Sequence, residues 1–134
     1  MRKAPKPTAP TRPIERHIHV IRGQRVMLDS DLAALYGVET RALTQAVRRN
    51  ADRFPSSFMF QLSSEEAAHM RSQIVTASKR NIRYQPLAFT EHGVVMLSSV
   101  LHSSRAIRVS ISVVETFVRL RELTAANKDI LIRV

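Results

Sequence analysis

The stretch TRALTQAVRRN, residues 40–50, sets Arg41, Thr44, Gln45, Arg48 and Arg49 at helical spacing. Arginine can donate two parallel hydrogen bonds to a guanine edge, and glutamine can pair in a similar way with adenine. These side chains therefore carry the chemistry of base reading in duplex DNA. On a wheel of about 100° per residue, Leu43, Val47, Asn50 and Phe54 share one sector. Arg41, Gln45 and Arg48 gather opposite, with Thr44 and Arg49 at the edges. The apolar sector is expected to face a core and the polar sector to face a major groove. In that arrangement Arg41, Thr44, Gln45 and Arg48 read or orient, and Arg49 holds phosphate. Lys79, Arg80 and Arg83, in the polar stretch RSQIVTASKRNIRYQP, are further phosphate contacts on a basic loop or hairpin. Asp52 lies on the same side as the readers and would repel phosphate, so the contact surface ends before it.

A reading helix must be presented by a second helix and a sharp turn. Gly37 is placed for that turn, because a left-handed backbone costs glycine little and a Cβ-bearing residue more. The preceding helix is expected over 30–36, capped by Asp29 or Ser30, with Asp31 in its first turn and Leu32, Leu35 and Tyr36 on one face. Ala33 is small where two helices would cross. Thr40 is the expected cap of the reading helix, and Pro55 limits it. Around this unit, HIHVIRGQRVML reads as a β-hairpin with Ile18, Val20, Val26 and Leu28 flanking a turn at Arg22-Gly23-Gln24-Arg25. SSFMFQL reads as a strand, and Ser63 with Glu66 has capping-box spacing before a helix. PLAF is a short extended piece, Thr90 caps a helix to about Leu101, and Ser103 or Ser104 caps a long helix through Leu123. Ile107, Ile111, Val114, Val118 and Leu120 are its expected buried side. The fold class is α+β: a small helix-turn-helix-containing domain with short strands and a long C-terminal helix. The domain should occupy 17–123, after a disordered basic Pro-rich arm at 1–16 and before a tail or helix extension at 124–134.

Lysine and arginine total 21 against 11 acids in 134 residues, a formal net charge of +10. Such an excess suits a polyanionic partner. There is no cysteine, which excludes disulfides and thiolate metal sites and fits a reducing cytoplasm. The apolar run GVVMLSSVL is too short to cross a bilayer, so no membrane partner is expected. No cofactor is expected either. The carboxylates are dispersed rather than clustered for magnesium, and neither a phosphate loop nor a nucleophile elbow occurs, so the chain reads as a non-enzyme. His17 and His19 would share a strand face but lack an evident third ligand.

Several ordered blocks, VMLDSDLAALYGVETRALTQAVRRNADRFPSSFMFQLSSEE, RYQPLAFTEHGVVMLSSVLHSSRAI and FVRLREL, resemble the phage and bacterial "open reading frame six N-terminal" DNA-binding domain. That domain is a relative of KilA-N and Bro-N, and the resemblance spans about residues 17–123. It implies an N-terminal domain of phage antirepressor-like, transcription-regulatory proteins, with no catalytic residues. In such proteins the last helix often leads into a further C-terminal region.

The expected function is sequence-specific double-stranded DNA binding in transcription regulation, with a homodimer attractive because two units could read two half-sites. The alternative is a protein-protein interaction module, an antirepressor capturing another regulator, with Val113, Phe117 or Leu131 as its exposed apolar contacts. RNA binding suits the charge but lacks aromatic stacking platforms, since there is no Trp and only 5% of residues are aromatic.

Overall fold

A computed structural model describes residues 13–73 and 85–133, with the backbone alone for 73 and 126–133. After a 3-10 turn at Ile14–His17 come β1 (Ile18–Ile21), β2 (Gln24–Leu28), α1 (Asp29–Tyr36), α2 (Thr40–Arg49), β3 (Met59–Gln61), α3 (Ser64–Gln73), β4 (Leu87–Phe89), α4 (Glu91–Leu101) and α5 (Ser104–Arg133). The protein is α+β. Its antiparallel sheet has the order β1-β2-β4-β3, so the latest strand in sequence lies inside it, between β2 and β3.

The sheet is apolar on both faces, and pleat alternation divides those faces between two clusters. Met27, Leu87 and Phe89 face α1, α2, α4 and α5, joining Leu32, Leu43, Val47, Val94, Leu97, Val113 and Phe117. Val26, Leu28, Phe60 and Ala88 form the opposite layer with Leu62 and Met70, the last from α3. In the hairpin, Arg22 and Gly23 both have positive φ, 56° and 74°, as a two-residue type I′ turn demands. Left-handed backbone is unfavourable for arginine, but its side chain is held at four points, one of them the Gln61 carbonyl, which accepts from Nη2 at 3.3 Å. The side chain also donates to both Glu66 carboxylate oxygens at 2.8 and 2.9 Å, and the guanidinium lies 4.3 Å from the Phe60 ring centroid. Glu66 in turn closes the capping box with Ser63, at 2.8 and 3.1 Å. The Arg22 hydrogen bonds first, then the Ser63 N–H, hold the Glu66 carboxyl down at about 2.

Two expected caps are replaced by other arrangements. Asp29 is the first residue of α1 and is buried, and its Oδ2 accepts from the Leu87 N–H at 3.1 Å, tying the helix start to β4. Leu28 and Glu39 occupy the N-cap positions of α1 and α2, without side-chain cap bonds, and Thr40 is already helical. Thr90 and Ser103 do cap, accepting from Gly93 N and Ala106 N. Residues 14–17, read from the sequence as arm or strand, turn in 3-10 form, and Ile14 packs on the core. The last helix continues well past Leu123, to Arg133.

Asp29→Ala should lower unfolding free energy by about 2 kcal/mol, because it leaves the buried Leu87 amide without that acceptor. Urea unfolding monitored by circular dichroism measures this; Asp29→Asn, which keeps an acceptor oxygen, should lose less.

Candidate nucleic-acid interface

The bend between α1 and α2 is made by Gly37, with φ 75° and ψ 31°. Gly37 N donates to Ala34 O at 3.3 Å and Val38 N to Ala33 O at 3.0 Å, the paired bonds of a left-handed helix stop. Two contacts from α5 fix α1 against the rest of the domain. Arg105 Nε donates to Leu35 O at 3.2 Å, placing a cation at the negative end of α1. Tyr36 Oη and Ser110 Oγ stand 2.8 Å apart in a buried hydrogen bond, and burial pushes the tyrosine up to about 12. Sequence reading missed both contacts. The polar Ser110 at helical spacing from Val113 and Phe117 was the available signal.

Against that support, α2 inserts Leu43 and Val47 into the cluster containing Val94 and Leu97. Burying those two positions settles the helix rotation. Arg41, Gln45, Arg48 and Arg49 consequently point to solvent. Arg41, Gln45 and Arg48 recur at four- and three-residue intervals, a strip about 10 Å long at 1.5 Å per residue. Among the described residues, none of Arg41, Arg48 and Arg49 pairs with a carboxylate. Other arginines are engaged: Arg22 with Glu66, Arg119 with Glu15 at 3.7 Å, and Arg121 with Glu91.

Thr44 leaves the reading set. It is 2% exposed, and its hydroxyl donates to Arg41 O at 3.0 Å, so it belongs to the inner side of α2 and cannot reach a base edge. Asn50 is half-buried and donates back to Ala46 O, while Asp52 is exposed in the 3-10 turn Ala51–Arg53 that follows α2. Lys79, Arg80 and Arg83 lie outside the described residues.

The exposed apolar contacts of the interaction-module alternative are also corrected. Val113 and Phe117 are buried in the core, and the side chain of Leu131 lies outside the described residues. The expected buried side of α5 is corrected in the same way. Ile107 and Ile111 are 51% and 54% exposed, whereas Ala106, Ser110, Val113, Thr116 and Phe117 face inward.

At the hairpin, His17 belongs to the 3-10 turn and lies 3.4 Å from Asp31. Burial lowers the pKa of His19, opposed by the Asp31 charge. Among the described residues there is no group of three or more His, Cys, Asp or Glu that could hold a metal ion, and no helix is long and apolar enough to cross a membrane.

No curated protein and no solved structure matches the chain. The sequence pattern of the ORF6N domain matches residues 16–100, which takes in the hairpin, the α1-turn-α2 unit, β3, β4 and nearly all of α4. With well over half of its length matched, and with the bend and all four strands of the sheet inside the match, the chain belongs to the ORF6N domain family.

Proposed function

We propose that this protein is a sequence-specific double-stranded DNA-binding transcriptional regulator, of the phage antirepressor-like kind, in which α2 enters the major groove. The observation that carries this is the solvent-facing strip on α2: three arginines and a glutamine, without carboxylate partners among the described residues, on a helix locked by Leu43 and Val47. Arg41, Gln45 and Arg48 read base edges. Arg49, with Lys79, Arg80 and Arg83, neutralises phosphates. Membership of a phage-type regulatory family and the net charge of +10 support the same reading. The role is one of binding rather than catalysis, and it requires no cofactor.

The test is selection of bound fragments from a random duplex pool at near-physiological salt, followed by titrations of the selected site. Enrichment of a defined sequence is expected. If five or six phosphates in all are neutralised, the log-log salt slope should be about −5. Failure to enrich any sequence, together with a slope near zero, would overturn the proposal and favour the alternative of an antirepressor that captures another regulator without reading DNA.

A further inference from the structure

Helix α5 carries two helical stripes one residue apart. Ala106, Ser110, Val113 and Phe117 are buried against the domain. Ile107, Ile111, Val114 and Val118 are the more apolar set and sit about 100° round the helix. Ile107 and Ile111 are more than half exposed, and Val114 and Val118 are half-buried. Beside them on α4, Val95 is 51% exposed, and together with Ser98, Ile107, Ile111 and Val114 it lines an open groove between α4 and α5. A contiguous apolar surface of this kind on a chain with a net charge of +10 calls for a partner.

We propose that the groove is a two-fold interface in which a second copy of this chain lays its α5 antiparallel against the first. The exposed stripe has the four-three-four spacing of a short coiled-coil seam. In antiparallel register Ile107 meets Val118 of the second copy, and Ile111 meets its Val114. The same register decides which charges meet. Arg108 and Glu115 are two turns apart on one edge of the seam, both exposed, and neither is paired with another described residue. Residues at equivalent heptad positions face each other across an antiparallel seam, so Arg108 of each copy faces Glu115 of the other. The two-fold thus forms two opposite-charge pairs around four apolar layers. In a parallel arrangement these two positions would lie on opposite sides of the seam in the two copies, and the Arg108–Glu115 pairs would not form. No residue of α2 lines the groove, so association leaves Arg41, Gln45 and Arg48 exposed, and the proposal does not depend on what α2 binds.

Sedimentation velocity on the full chain tests it. The wild-type chain should show a concentration-dependent monomer-dimer equilibrium in the micromolar range. Ile111→Asp should weaken it at least about a hundredfold, since two isoleucines leave the seam per dimer. Arg108→Glu and Glu115→Arg each replace two attractive pairs with two repulsive ones and should each weaken self-association about tenfold. An equal mixture of those two variants regains opposite charges at both pairs, so dimers should return to near wild-type strength, whereas a variant that merely misfolds would not recover on mixing. A wild-type chain that stays monomeric throughout the range, or single reversals whose mixture associates no better than either alone, would overturn the proposal and assign the groove to a different occupant.

Discussion

Alanine at position 93 is expected to cost at least about 3 kcal/mol of stability, a large share of the roughly 5–15 kcal/mol that holds a domain together. Gly93 lies in the first turn of α4 where the helix crosses the chain entering β3. A Cβ built there would stand 2.1 Å from Phe58 O and 3.1 Å from Phe58 C, and both are backbone atoms. That carbonyl cannot retreat freely, because it accepts from Thr90 N at 3.0 Å and from Thr90 Oγ1 at 3.1 Å. Moving it would release the cap of α4 together with the start of β3. Gly23→Ala is the control. Its φ is +74° but no atom stands within 4 Å of the new Cβ, so only the left-handed penalty of about 1–2 kcal/mol applies. Urea unfolding of the two variants separates collision from backbone strain, and a Gly93→Ala protein as stable as Gly23→Ala would contradict the packing of α4 on Phe58.

Replacing Arg41 and Arg48 together with alanine is expected to weaken binding to the selected duplex on the order of a hundredfold or more, since each base-reading pair is worth about 1–3 kcal/mol. Both side chains are exposed, so circular dichroism and thermal unfolding should stay within about 0.5 kcal/mol of the wild-type values. Arg48→Ala alone should also flatten discrimination among sequences, whereas Lys79→Ala should weaken all duplexes alike and make the salt slope shallower by about one. Competition binding against mismatched duplexes measures the difference. If Arg48→Ala lowered affinity for every sequence equally, α2 would be a phosphate contact rather than a reader.

The elements that local chemistry specifies are legible in the chain. The turn at Arg22-Gly23, the stop at Gly37, the Ser63–Glu66 box and the caps at Thr90 and Ser103 all join residues within a few positions of one another, and each occurs where its residue types require. The outward strip on α2 was legible for the same reason, because Leu43 and Val47 leave only one way to rotate that helix. Thr44 was misplaced because it sits at the edge of the sector, where angle alone does not separate a buried hydroxyl from a solvated one.

What the amino-acid sequence determined alone is the α+β class, the two helices joined at Gly37 and the face that α2 offers, since these depend on period and one glycine. Tertiary structure decided the rest. Asp29 reads locally as a cap, yet it serves an amide 58 positions away in β4. On α5 both stripes have perfect helical period, and hydrophobicity favours Ile107 and Ile111. The less apolar stripe is buried because Ala106 and Ser110 are small enough for close approach and Ser110 bonds Tyr36 across from α1. Periodicity defines how residues share a helix face, but which of two good faces turns inward depends on the shape and hydrogen bonds of a partner remote in sequence.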